Sequence, residues 1–143
     1  MIVYFDTSAL IPLLVEEAGS LVAGRLWDQA DRVVSSRLAY AEARAALAQA
    51  RRADRIDAAE LRRAVADLDV LVGDLNLVEL GETVVYRAGE LAELLALRGY
   101  DAVHLSSAES LADPDLVLAA GDRELLRAAG QLQIATAGLR APD

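Results

Sequence analysis

The chain lacks several residue types, and each absence excludes a kind of chemistry. It contains no cysteine, so disulfides, thiolate metal sites and cysteine nucleophiles are excluded. Its only histidine is His104, which rules out a metal site built from several imidazoles. Lysine is also absent, so arginine supplies all 14 positive charges.

Long apolar runs are missing too. The longest stretch without a charged residue has 12 residues, Ala128 to Leu139, which is too short to cross a bilayer. No basic segment precedes the apolar start, so no secretory signal is expected. The length of 143 residues fits one domain, predicted to span 1–143. We therefore expect a soluble, cytoplasmic, single-domain protein.

The charge balance is strongly acidic. The 14 arginines stand against 23 acids, giving a net charge of −9. Proteins that bind nucleic acid without sequence preference usually carry a basic surface for phosphate. The overall charge therefore argues against that class.

Short β-rich runs alternate with longer helical patterns along the chain. Such alternation predicts an α/β domain with a central, mainly parallel sheet. The expected strands are Ile2–Phe5, Val33–Ser36, Asn76–Leu80, Leu116–Ala120 and Gln133–Thr136.

Several local signals predict where helices begin and end. Thr7 or Ser8 offers an N-cap, with Pro12 in the first turn of that helix. Asp57 and Glu60 have the spacing of a capping box. Gly99 is expected to end a helix that begins near Glu82. The last residues, 140–143, read as a loose tail.

Four acids from distant parts of the chain are candidates for one site at the ends of the strands. Asp6 follows the first strand directly, and Asp122 follows the fourth after one glycine. Glu42 lies one to two turns into the helix after the second strand, and Asp101 opens a short helix. Binding sites in parallel sheets collect beyond the carboxyl ends of the strands. We therefore expect these carboxylates to converge on one edge of the sheet.

Converging carboxylates repel one another unless a cation neutralises them. Mg²⁺ suits oxygen ligands and can activate water for attack on phosphorus, without any histidine, serine or cysteine nucleophile. Taken singly, each acid has a plainer explanation: Asp6 and Asp122 as helix N-caps, Asp101 as a structural residue at a helix start, and Glu42 as a solvated helix residue. The metal hypothesis depends on the four together.

The same residues lie in segments that resemble the PIN-domain family, and in particular its VapC toxins from bacterial VapBC toxin–antitoxin pairs. The segments are IVYFDTSALIPLL, SSRLAYAEARAALAQARR, LRGYDAVHLSSA and LVLAAGDRELLRAA, in the family's order. The resemblance implies a three-layer α/β/α fold with about five short strands. It departs at Ala120, where the family often has threonine or serine.

By this resemblance the chain would be a metal-dependent endoribonuclease and toxin that hydrolyses RNA phosphodiester bonds. Asp6, Glu42, Asp101 and Asp122 would bind Mg²⁺ or Mn²⁺, assisted by a hydroxyl of Thr7 or Ser8. The equivalent of His104 is not among the family's metal-binding acids, which favours a structural role for it. Two alternatives stay open: a non-catalytic module of the same fold that binds RNA or an antitoxin, and a housekeeping RNA-processing or DNA-directed nuclease.

An acidic ribonuclease needs local positive charge to approach RNA. Between Arg44 and Arg63 six arginines stand against three acids, which leaves +3. Arginine binds phosphate through two parallel hydrogen bonds. Arg44, Arg51, Arg52 and Arg55 are therefore candidates for RNA guidance, with a solvated, internally paired helical surface as the alternative.

The resemblance also implies protein partners. They are a second copy of the chain, in a homodimer, and a VapB-like antitoxin whose C-terminal segment packs on the early helices. Leu10, Leu13, Leu14 and Trp27 are candidates for that surface, unless they belong to the core.

Overall fold

The structure is a computed structural model, and it describes residues 1–139. Within that range the strands are β1 Ile2–Phe5, β2 Arg32–Ser36, β3 Asn76–Val78, β4 Leu116–Ala120 and β5 Ala135–Gly138. The helices are α1 Thr7–Leu14, α2 Ser20–Gln29, α3 Ala39–Arg52, α4 Ala58–Asp74, α5 Glu82–Leu95, α6 Gly99–Glu109 and α7 Arg123–Gln131. The predicted tail, 140–143, lies outside the described residues.

The described strands form one parallel sheet in the order β3-β2-β1-β4-β5. The register pairs Val3 with Val33 on one side and with Val117 on the other. From β1 the chain builds outward through β2 and β3, then returns to add β4 and β5 on the opposite side. This reversal creates a crevice beyond the carboxyl ends of β1 and β4, the usual binding place in such sheets.

Two hydrophobic cores lie on opposite faces of the sheet. Successive side chains of a strand point to opposite faces, so Tyr4 packs with α5, α6 and α7, while Val3 and Phe5 pack with α1, α2 and α3. The central strands β1 and β4 carry apolar side chains towards both faces, as expected for strands that helices cover on both sides. The predicted α/β/α fold with a five-stranded parallel sheet is confirmed.

The start of α1 differs from the prediction. Asp6, and not Thr7 or Ser8, is the N-cap, because its side chain accepts a hydrogen bond from the backbone N–H of Ala9. Pro12 lies inside α1 and not in its first turn. A proline there removes the N–H that would bond to the Ser8 carbonyl, a cost that the burial of Pro12 offsets.

The end of α5 also differs. The helix stops at Leu95 because Ala96 adopts a left-handed conformation, with φ of 54°. Gly99 does not end α5; it begins α6. The capping box of Asp57 and Glu60 is confirmed. Strand β5 begins two residues later than predicted, and β3 is two residues shorter.

Across residues 1–139, no helix combines the length and the apolar character needed to cross a membrane.

Candidate active site

Asp6 stands at the carboxyl end of the central strand and is 4% exposed. Its Oδ1 accepts hydrogen bonds from the hydroxyl of Ser8 at 2.6 Å and from the backbone N–H of Ala9 at 3.2 Å. Among the described residues, the hydrogen bonds to Asp6 reach Oδ1, which leaves Oδ2 available for another partner. The capping role of Asp6 is therefore compatible with a second role in a site.

Burial raises the pKa of Asp6 from 3.8 to about 6. The charge of His104 and the hydrogen bonds from Ser8 and Ala9 oppose this rise, while the negative charge of Asp101 adds to it. Asp6 and Asp101, 95 positions apart in sequence, are thus close enough to interact electrostatically.

Ser8 joins the two strands that border the crevice. Its hydroxyl donates to Asp6 and accepts a hydrogen bond of 2.8 Å from the backbone N–H of Gly121, which follows β4. Because the hydroxyl satisfies a donor and an acceptor at once, it fixes the end of β4 against the start of α1.

Glu42 is held by a different set of groups. It accepts hydrogen bonds from the hydroxyl of Thr7 at 2.8 Å and from Nε2 of His104 at 2.6 Å. The other ring nitrogen of His104 lies 2.8 Å from the hydroxyl of buried Tyr4. An ionised carboxylate only accepts hydrogen bonds, so Nε2 carries a proton towards Glu42.

Burial acts to raise the pKa of Glu42, but the hydrogen bond and charge of His104, together with Thr7, lower the pKa overall. Burial also raises the pKa of Tyr4 far above its usual range, so its hydroxyl stays protonated. The network therefore holds Glu42 as an anion at neutral pH.

Asp101 and Asp122 meet at a single guanidinium group. Arg98 donates from Nε to Oδ2 of Asp101 at 3.2 Å and from Nη2 to Oδ2 of Asp122 at 3.3 Å. The Asp101 and Asp122 side chains are 15% and 26% exposed. The chain itself therefore places a positive charge, the guanidinium of Arg98, between these two carboxylates.

Asp122 divides its two oxygens as Asp6 does. Oδ1 caps α7 by accepting from the backbone N–H groups of Glu124 and Leu125. Oδ2 points to the Arg98 guanidinium. In both Asp6 and Asp122, one carboxylate oxygen caps a helix, and the other oxygen is left for a cation.

These carboxylates match the hard oxygen donors that Mg²⁺ and Mn²⁺ prefer. Within residues 1–139, however, no three acidic or histidine side chains lie together as a ready-made metal site. The structure brings Asp101 and Asp122 onto one cation and Asp6 within electrostatic reach of Asp101. The three carboxylates thus have the chemistry that a divalent cation requires. Arg98 occupies the place between Asp101 and Asp122 where such a cation would bind.

A cleft of about 700 Å³ opens beside these residues. Ser8 and Asp122 line it together with apolar side chains that include Ile11, Pro12 and Leu139. A smaller cavity of about 210 Å³ lies on the other side of Asp122, next to Arg98 and Asp101. Of the four candidate acids, Asp122 lines both cavities and Asp101 lines the smaller one, so these two carboxylates are open to a ligand from outside.

The candidate RNA-guiding arginines lie on or after α3, the helix that carries Glu42. At 100° per residue, Arg44 and Arg51 lie roughly 200° and 180° around the helix from Glu42. Arg44 donates to the hydroxyl of Tyr40, and Arg51 pairs with Asp54. Arg52, about 80° from Glu42, and Arg55 are both exposed. The face of α3 that carries Glu42 is thus not the face of Arg44 and Arg51.

Sequence reasoning missed two contacts of the site. It treated His104 as part of the helix alone, although its ring touches Glu42. It did not consider Arg98, which precedes Asp101 by three residues. The helical spacing of three residues separates Arg98 from Asp101 and Asp101 from His104, and this spacing was the available signal for both.

Comparison with known proteins identifies the family to which the chain belongs. The model of the PIN domain matches residues 3–131. The chain belongs to the PIN-domain family. This PIN domain is 50% identical over 124 residues to two proteins of Mycobacterium tuberculosis, Ribonuclease VapC45 of strain CDC 1551 and Ribonuclease VapC49 of strain H37Rv. Each alignment covers 87% of this chain and 86% of the relative.

The fold of this PIN domain also resembles a solved toxin–antitoxin complex from Klebsiella pneumoniae. The TM-score is 0.64 at 16% identity, covering 87% of this chain and 89% of the other. The predicted family membership is confirmed.

Proposed function

We propose that this chain is a VapC-type toxin, a metal-dependent endoribonuclease that hydrolyses RNA phosphodiester bonds. The observation that carries the proposal is the 50% identity, over 87% of the chain, to two proteins named as VapC ribonucleases. The acidic edge at the crevice between β1 and β4 supports the same chemistry.

Asp6, Asp101 and Asp122 would hold a divalent cation, Mg²⁺ or Mn²⁺, and Glu42 would orient it or the attacking water. When bound, such a cation stabilises charge on the phosphoryl oxygens and makes water a stronger nucleophile. Asp6 must lose its proton to act as a ligand, which occurs as the pH rises through its pKa of about 6. The hydroxyl of Ser8 holds the Asp6 carboxylate in place.

Glu42 is suited to orient a water molecule and not to accept its proton. Its lowered pKa makes it a weak base. Thr7 and His104 fix its position from two directions. A fixed anion beside the cation site would hold a water molecule by accepting a hydrogen bond from it.

We further propose that exposed arginines of α3 and the turn after it guide RNA to this edge. Arg52 and Arg55 are the better placed of the four candidates, because Arg44 and Arg51 point away from the side of Glu42 and have partners of their own. RNA that reaches Arg44 or Arg51 would have to pass around α3.

The proposed protein partners are a VapB-like antitoxin and a second copy of the chain, in the cytoplasm. Leu10 is a core residue, 1% exposed, and does not contribute to a docking surface. Leu13 and Trp27 are partly buried against the second core. An antitoxin segment on the early helices would instead meet Leu21 of α2, which is 66% exposed.

Controlled expression tests the function. The wild-type chain should arrest growth and produce discrete RNA fragments, and Asp101→Asn should do neither while folding normally. Cleavage without growth arrest would indicate a housekeeping nuclease. Arrest by both proteins without RNA cleavage would indicate a binding module and contradict the proposal.

A further inference from the structure

Arg98 makes its side-chain contacts with the two acids of the proposed cation site. Its Nε and Nη2 atoms reach Oδ2 of Asp101 and Oδ2 of Asp122. In Asp122 this is the oxygen that the cap of α7 leaves free. The guanidinium therefore takes the oxygen that a divalent cation would need.

The side chain of Arg98 is otherwise held loosely. It is 81% exposed, and Arg98 itself immediately precedes the first turn of α6. Exposed ion pairs contribute little to stability, so the guanidinium can leave both carboxylates at small cost. A divalent cation carries twice the charge and binds oxygen directly, so it can displace the arginine.

We propose that Arg98 is an internal counter-ion of the metal site, which holds Asp101 and Asp122 together in the metal-free protein and must be displaced when the metal binds. Arg98 is thus a positioning residue that competes with the metal. The inference rests on the divalent-cation site of the proposed function and adds a built-in competitor to it.

Competition with the metal predicts that loss of Arg98 raises the metal affinity, which a merely structural ion pair does not predict. Removing the arginine should make metal binding tighter, although it removes two hydrogen bonds from the metal-free protein. An exposed ion pair changes an equilibrium by at most about fivefold, and Arg98 makes two such contacts. We therefore expect Arg98→Gln to bind Mn²⁺ roughly three- to tenfold more tightly than the wild type.

Calorimetric titration with Mn²⁺ alone tests this, without RNA. Arg37→Gln is the matched control, since Arg37 also forms a two-point pair with one exposed acid, Glu79. It should bind Mn²⁺ as the wild type does. Arg98→Lys, which keeps the charge, should fall between the wild type and Arg98→Gln. Asp101→Asn should abolish the binding.

A thermal melt gives a second readout. In chelator, Arg98→Gln should unfold at a lower temperature than the wild type, because Asp101 and Asp122 lose their counter-ion. With saturating Mn²⁺ the difference should vanish. A purely structural role would lower the melting temperature equally under both conditions.

If the wild type binds Mn²⁺ and Arg98→Gln binds it equally well or more weakly, this inference is overturned and the proposed function stays intact. If neither protein binds Mn²⁺, the cation site itself fails and this inference fails with it. Binding by Arg98→Gln alone would be the strongest support for competition.

Discussion

Replacing Asp6 with asparagine should make the metal-free protein more stable at neutral pH. Asp6 is 4% exposed, and burial raises its pKa from 3.8 to about 6. Asparagine keeps an Oδ1 acceptor for Ser8 and Ala9, so both hydrogen bonds can persist. The variant therefore removes the charge without removing the cap.

The sign follows from proton linkage. With a raised pKa the folded state binds the Asp6 proton more tightly than the unfolded state does, so stability falls as the pH rises from 3.8 to about 6. The full loss is about 3 kcal/mol, at about 1.4 kcal/mol per pH unit. About a third of it has occurred by about pH 4.5, so about 2 kcal/mol is lost between about pH 4.5 and 7.5.

Urea unfolding in EDTA, followed by circular dichroism across that pH range, measures the effect. The free energy of unfolding of the wild type should fall relative to Asp6→Asn by about 2 kcal/mol as the pH rises. Parallel curves for the two proteins would refute the assignment of a buried, ionised Asp6.

Asp57→Asn is a matched control with the opposite sign. Asp57 is also an N-cap, but it is exposed, and hydrogen bonds from its own helix lower its pKa. Its stabilising effect is therefore present at neutral pH and lost on acidification. The wild type should thus become more stable relative to Asp57→Asn as the pH rises, which excludes a general effect of removing a helix-capping charge.

Three further predictions follow from the contacts of the site. His104→Ala should lower the free energy of unfolding by about 2 to 4 kcal/mol, because it leaves a cavity and removes the hydrogen bonds of His104 to Glu42 and Tyr4; a loss below about 1 kcal/mol in urea unfolding would contradict the stabilising role of these contacts. Ser8→Ala should cost about 1 to 3 kcal/mol by the same measurement, since the half-buried hydroxyl both donates to Asp6 and accepts from Gly121; an unchanged midpoint would show that this hydroxyl does not stabilise the fold. Arg52→Gln should weaken RNA binding several-fold in a filter-binding assay and lower the salt slope by about one. Arg51→Gln should change RNA binding less, and the reverse order would place the RNA path on the other face of α3.

The sequence was sufficient to predict the sheet and the edge where the acids lie. Asp6 directly follows β1 and Asp122 follows β4 after one glycine. Because the strands are parallel, their carboxyl ends meet at one edge of the sheet. The N-cap assignment at Thr7 or Ser8 was wrong because three consecutive residues, Asp6 to Ser8, can all cap a helix. Local sequence does not decide among them; the position where β1 ends does.

The three-residue spacing could have pointed to Arg98 and His104, but their partners in distant parts of the chain were beyond sequence reasoning. Arg98 reaches Asp122 across 24 positions, and His104 reaches Glu42 across 62. Such contacts depend on how α3, α6 and α7 pack around the crevice. The break at Ala96 was also hidden, since alanine favours helix and gives no stop signal.

The central claim is that the acids at the β1–β4 crevice bind a divalent cation that is required for RNA cleavage. Cleavage of total RNA by the purified chain, first in EDTA and then after addition of excess Mg²⁺, tests it most directly, with Asp101→Asn as the matched variant. The wild type should be inactive in EDTA and active after Mg²⁺ is restored, and Asp101→Asn should stay inactive throughout. Undiminished cleavage in EDTA, or full activity of Asp101→Asn with Mg²⁺, would contradict the account.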